Sequence, residues 1–136
     1  MVHGERYKTI KEGLTVASSS AKKRLLSGST NGKGIKIAAT ATPGDLIHAA
    51  VAGTTAGTFD EVWLWAQNNH TGDVELTVEL GSHTAPDDNI IVTIPSKSGL
   101  VPVVPGLILQ NAQDINVFAA TTAVITIHGF VNAITD

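Results

Sequence analysis

The stretch Val74–Leu80, VELTVEL, alternates apolar and polar residues without a break: Val74, Leu76, Val78 and Leu80 against Glu75, Thr77 and Glu79. Side chains of a strand point to opposite faces in turn, so this pattern predicts a strand with one face in a core and the other in water. Related patterns recur along the chain. GIKIAAT sets Ile35, Ile37 and Ala39 on one face, DLIHAAVA (45–52) follows the turn TPG, and FDEVWLWAQ (59–67) sets Val62, Leu64 and Ala66 against Trp63, Trp65 and Gln67. NIIVTIP (89–95), LVPVVPGLIL (100–109), DINVFAA (114–120) and AVITIHGFVNAIT (123–135) follow, divided by the turn-rich NNHTGD, GSHTAPDDN, PSKSG and QNAQD. No window beyond residue 33 keeps the i, i+3, i+4 apolar spacing of a helix. The reading is all-β: an antiparallel, jelly-roll-like β-sandwich of about eight strands over residues 34–136.

Residues 1–33 differ in kind. VASSSAKKRLLSGSTNGKG is rich in Ser, Gly and Lys and has no sustained period; residues 7–16 and 21–26 are its short helix or strand candidates. This segment reads as an extended N-terminal arm. Charge divides the chain in nearly the same place. Residues 1–36 hold eight of the nine basic groups and two acids, a net +6, whereas residues 37–136 hold Lys97 and ten acids, a net −9. A basic arm on an acidic body points to an electrostatic partner for the arm. Nucleic acid fits that role poorly, because the acidic body repels a phosphate backbone and the arm carries one aromatic residue, Tyr7. An acidic protein surface fits better.

Hydrophobic residues make up 43% of the chain and charged residues only 15%, a balance that favours collapse over disorder. Cysteine is absent, which excludes disulfides and thiolate chemistry. MVHGERYKTIKEG lacks the apolar run of a secretory signal, and no segment approaches the ~20 apolar residues of a membrane-spanning helix. The most apolar run, Leu100–Leu109, is broken by Pro102, Pro105 and Gly106. Prolines lack the N–H a central strand needs, so the run belongs at an edge, a bend or a bulge. We read it as a proline-bent crossing between sheets, close to a subunit contact.

Few residues suggest a reaction. GSTNGKG (28–34) has three residues between its first two glycines where a phosphate loop needs four, and a strand follows it instead of a helix, so it reads as a hinge. His70 and His83 lie in turns flanking one strand, with Asp87 and Asp88 nearby, but two loop histidines do not secure a zinc site. No GxSxG elbow occurs. Glu75 and Glu79 share a strand face at about 13 Å, beyond glycosidase spacing, and read as the solvent face of their strand. Neither catalytic residue, cofactor nor metal is expected. Trp63 and Trp65 share a face opposite Val62 and Leu64; they read as core, as a subunit contact, or as a platform for sugar rings.

The ordered segments TPGDLIHAAVAGT, FDEVWLWAQNNHTGDVELTVELG and SGLVPVVPGLILQNAQDINVFAATTAVITIHGFVNAIT together resemble small virion proteins of tailed bacteriophages, over about residues 43–135. The resemblance implies a capsid decoration (cement) protein or a related head, neck or tail accessory, located at the capsid surface and without enzymatic activity. It also implies a homotrimer and the major capsid protein as partner. With it come two sets of expected contacts: Lys22, Lys23 and Arg24 on the capsid, and Trp63, Trp65, Val104 and Leu107 between subunits. A sugar-binding module using Trp63 and Trp65 is the competing reading.

Overall fold

A computed structural model describes residues 19–136; the expectations placed on residues 1–18 lie outside the described residues. The architecture is all-β, with nine strands: β1 (Ser20–Arg24), β2 (Ile35–Ile37), β3 (Asp45–Ala49), β4 (Phe59–Asn68), β5 (Val74–Leu80), β6 (Asn89–Ile94), β7 (Val101–Leu109), β8 (Asp114–Ala119) and β9 (Ile125–Thr135). Two antiparallel sheets pack as a sandwich. One runs β1-β9-β4-β7, with β2 also on β9; the other runs β3-β8-β5-β6. The pairs β2·β9, β3·β8, β4·β7 and β5·β6 all form. Nested pairing of this kind is what a long hairpin produces when rolled into two sheets, which makes the body a jelly roll. Strands β2 to β9 coincide with the eight expected from alternation.

The core follows from that alternation. Val62, Leu64 and Ala66 of β4, Val74, Leu76 and Val78 of β5, and Ile125, Ile127 and Val131 of β9 are each at most 1% exposed. At roughly 1.5–3 kcal/mol for each fully buried large aliphatic side chain, this interior is the main force holding the sheets together. In β3 a register shift between Leu46 and His48 breaks the alternation, so Ile47 and His48 are both buried. An extra residue in one strand of a pair has this effect.

The one strand beyond those eight, β1, is the part of the arm that joins the body. β1 pairs with Val131–Thr135 of β9, and β2 pairs with Ile125–Ile127 on the same edge. Between them the chain detours across the gap between the sheets. Leu26 enters the core at 2% exposure, Gly28 N–H donates to Ile47 O at 2.9 Å, and Ala49 N–H donates to Ser27 Oγ at 2.7 Å. A Cβ on Gly28 would collide with the Leu46 carbonyl oxygen, so this close approach requires glycine. Residues 20–28, read from the sequence as arm, therefore act as a clasp between the two sheets.

Leu100–Leu109 does not cross between sheets. Strand β7 stays in one sheet as its edge, opposite β4. Its register shifts twice, between Val62 and Trp63 and between Leu64 and Trp65, where Pro105 and Pro102 stand opposite the two tryptophans. The prolines have become an edge with two bulges, which also discourages edge-to-edge pairing with other chains.

Candidate functional site

The outer face of the β1-β9-β4-β7 sheet gathers the aromatic side chains. Glu61, Trp63, Trp65 and Gln67 point outward because Val62, Leu64 and Ala66 point in. Phe130 stands directly opposite Trp63 on β9, and His128 stands opposite Trp65. The three rings are near parallel: Trp63 and Trp65 at 6.5 Å between centroids, Trp63 and Phe130 at 6.5 Å, Trp65 and Phe130 at 6.0 Å. Pro102, Pro105 and Ile108 of β7 flank them, all exposed, with Ile108 at 56%. An apolar strip of three half-buried rings and an exposed β7 edge thus runs along the sheet.

Polar groups border the strip and hold its rings. Trp63 Nε1–H donates to Glu61 Oε1 at 2.7 Å, and Asn132 Nδ2 donates to the same oxygen at 2.9 Å. Those two donors, Asn132 first, hold the Glu61 carboxyl below the usual carboxylate range. On the other side of Trp65, His128 Nε2 and Gln67 Oε1 are 2.8 Å apart. Lys23 places its ammonium 4.5 Å from the centre of the Phe130 ring.

That contact separates the three cations grouped from the sequence. Strand alternation turns Lys23, opposite Asn132, to the outer face, while Lys22 and Arg24, opposite Ala133 and Val131, turn to the inner one. They form no single patch. The four residues expected between subunits also divide. Trp63 and Trp65 lie on the open face and Leu107 is 39% exposed, but Val104 is 1% exposed. Val104 stands opposite Leu64 and points into the chain's own core, so it is unavailable to a second subunit. Phe130 escaped the sequence reading because it is distant in the chain; the signal was its position in the alternation of β9.

Two further clusters qualify the sequence reading. Glu79 is not on a solvent face: it is 1% exposed, while Glu75 is exposed. The 42–44 turn folds over Glu79, with Thr42 Oγ1 donating to Oε2 at 2.5 Å and Gly44 N–H to Oε1 at 2.8 Å. His83 and Asn116 extend this polar patch, with Nε2 and Oδ1 3.2 Å apart and Asn116 Nδ2 donating to Gly44 O at 3.0 Å. His70 and His83 sit in the loops at opposite ends of β5, roughly 20 Å apart at 3.3 Å per residue, too far to share an ion. Among the described residues, no three His, Asp or Glu side chains gather as metal ligands.

The second cluster, which the sequence reading passed over, joins Ser27, His48 and Asp60. Ser27 N–H donates to His48 Nδ1 at 3.0 Å, so the ring proton sits on Nε2, which donates to Asp60 Oδ2 at 2.7 Å. The residue types are those of a hydrolase, but the wiring is not. A nucleophile needs an imidazole nitrogen free to take its proton, and here a backbone N–H occupies Nδ1 while Ser27 Oγ accepts from Ala49. Comparison with family models, with curated proteins and with solved structures gives no match.

Proposed function

We propose that the chain is a structural protein of a tailed-phage particle, a decoration protein that binds the outer surface of the capsid and stabilises the shell. The observation that carries the reading furthest is the outer-face strip of half-buried Trp63, Trp65 and Phe130 beside exposed Pro102, Pro105 and Ile108, on an otherwise well-packed jelly roll. Contiguous exposed apolar surface on a small domain marks a contact surface, and Trp is enriched among the residues that anchor such contacts. The resemblance of residues 43–135 to phage virion proteins supplies the kind of assembly. In this reading the strip serves contacts within a homotrimer, and the basic N-terminal segment reaches acidic groups of the major capsid protein. A neck or tail accessory uses the same surfaces at a different place on the particle.

The test is co-sedimentation of the purified chain with capsids stripped of accessory proteins, with cryo-imaging of the source particle to locate it. Full-length chain is expected to bind, and a chain with Lys22, Lys23 and Arg24 replaced by Ser to stay folded and lose binding. Failure of the full-length chain to bind, or density for it nowhere on the particle, rejects the proposal.

One observation favours a second reading, a sugar platform. Phe130 supplies a third ring near parallel to Trp63 and Trp65, beside the hydrogen-bonding groups of Glu61, Gln67, His128 and Asn132. Titration of tryptophan fluorescence with a panel of oligosaccharides distinguishes it: saturable quenching, abolished in Trp65→Ala, supports the platform.

A further inference from the structure

A pocket of about 340 Å³ opens between the two sheets, where β1 and the C-terminal half of β9 face β3. Its walls include Leu25, Phe59, Val131 and Ile134, and two charged residues, Arg24 and Asp60, line it. Asp60 is 6% exposed. Both donors it receives, His48 Nε2–H at 2.7 Å and Val51 N–H at 3.2 Å, end on Oδ2. Oδ1 accepts nothing from the described residues, nor is it sealed away: among them the one buried side-chain oxygen or nitrogen without a partner is Asn89 Oδ1. Arg24 faces the same pocket from β1 and lies within salt-bridge distance of no carboxylate among the described residues, whereas His48 and Asp60 are joined by the hydrogen bond from Nε2–H.

One pocket, walled partly by apolar side chains, thus holds an open carboxylate oxygen and a guanidinium that no carboxylate of the described residues pairs. We infer that it binds a small zwitterion, an α-amino acid with an apolar side chain, its ammonium on Asp60 Oδ1 and its carboxylate on Arg24. Size supports the class. Small-molecule pockets begin near 300 Å³, so this volume admits a molecule of amino-acid size. Arg24 and Asp60 stand on β1 and β4, which flank β9. Arg24 is level with Val131 and Val62, two residues along from Asp60, so two strand spacings and that offset put their backbones roughly 12 Å apart, with both side chains turned toward the space between. Charge-assisted hydrogen bonds at both ends provide selectivity, because a ligand lacking either charge leaves one partner unsatisfied. His48 keeps Asp60 in place by occupying Oδ2, which leaves Oδ1 directed to the ligand.

The experiment is an NMR titration of the full-length chain with L-leucine, 3-methylbutylamine and 4-methylpentanoate. L-Leucine is expected to shift Val131, His48 and Phe59 resonances saturably, and each half-molecule to bind roughly tenfold more weakly or worse. Arg24→Gln, on an exposed edge strand, keeps the fold and should abolish the advantage of L-leucine over the amine while leaving amine binding unchanged. Asp60→Asn should do the converse for the acid. Absence of a saturable response to L-leucine, or equal binding by Arg24→Gln and the parent chain, overturns the inference.

Discussion

Lys23 sits over Phe130, its ammonium 4.5 Å from the ring centre, so this lysine meets the acidic body through an aromatic face, and among the described residues it pairs with no carboxylate. A cation over a ring at an exposed site contributes about 0.5–1 kcal/mol. The same contact places β1 in register against β9 and covers one side of the outermost ring. We expect Lys23→Ala to lower stability by at most about 1 kcal/mol and Lys23→Arg to preserve it. A double-mutant cycle with Phe130→Leu, measured in urea, checks that the coupling belongs to this pair. No coupling in the cycle removes the interaction from the account.

The clasp sets where the chain can be cut. Leu26 is 2% exposed and contacts both sheets through the common core, while Ser27 and Gly28 tie to β3. Leu26→Ala should cost roughly 2–5 kcal/mol, the usual range for a large-to-small change in a core. A chain starting at residue 31 loses this side chain and its hydrogen bonds, and should melt well below one starting at residue 19. Equal melting temperatures for the two truncations would show that the clasp is dispensable.

Glu79 and Glu75 make an internal control, since the alternation of β5 treats them alike and their surroundings do not. Glu79→Ala leaves the half-buried Gly44 N–H and the exposed Thr42 Oγ1 without their acceptor and should cost about 1–3 kcal/mol, chiefly for the amide, since water can reach the hydroxyl. Glu75→Ala, at an exposed position, should stay within about 0.5 kcal/mol of the parent. Denaturant melts of the two variants decide it; similar small losses would mean that water replaces the carboxylate under the 42–44 turn.

The contrast between those two glutamates shows what alternation reports and what it omits. Period two located eight strands because each buries one face, and it placed Trp63 and Trp65 opposite the core side chains Val62 and Leu64. It could not indicate that a distant turn folds over an outward-facing residue, as the 42–44 turn does over Glu79. Neither could it foresee the register shift that turns His48 inward toward Asp60. Both depend on contacts between residues far apart in sequence. Lys22, Lys23 and Arg24 read as one cluster in the chain and lie on two faces in the strand, a separation visible only once β1 is known to be a strand. Val104 was misplaced for a related reason: Val103 is an extra residue in the bulge, and it shifts which side chains of β7 face the core.

Acid should loosen the aromatic face through Glu61. Asn132 and Trp63 donate to its carboxylate and hold its folded-state pKa below the unfolded value. A group depressed on folding binds fewer protons in the native state, so its contribution is present above its unfolded pKa and is lost as pH falls through the lowered folded value. Stability should therefore decline on acidification in the carboxylate range, and Glu61→Gln should flatten that decline. In Asn132→Ala the Glu61 titration, followed by NMR, should move up toward its ordinary position. An unchanged titration in Asn132→Ala would mean that Asn132 does not hold the carboxylate.

The bulge at Gly106 is the point where the strip is most sensitive to a single methyl group. Gly106 has φ +80°, a conformation other residues adopt only with strain, and it lies beneath the Trp63 ring. A Cβ added there would sit 2.8 Å from Trp63 Cζ2, well inside van der Waals contact, so the indole must move or the bulge must straighten. Straightening is blocked on one side by Pro105, which cannot donate to a regular ladder. Displacing the indole breaks its hydrogen bond to Glu61 and its alignment with Trp65 and Phe130. Gly106→Ala should accordingly cost about 1–3 kcal/mol, the range for overpacking and for forced φ. It should also change tryptophan emission and weaken any assembly that uses the strip, whereas Gly53→Ala, with φ +92° and open space around it, carries the backbone penalty alone. The comparison isolates the ring: unchanged emission in Gly106→Ala would mean that Trp63 is not held against β7.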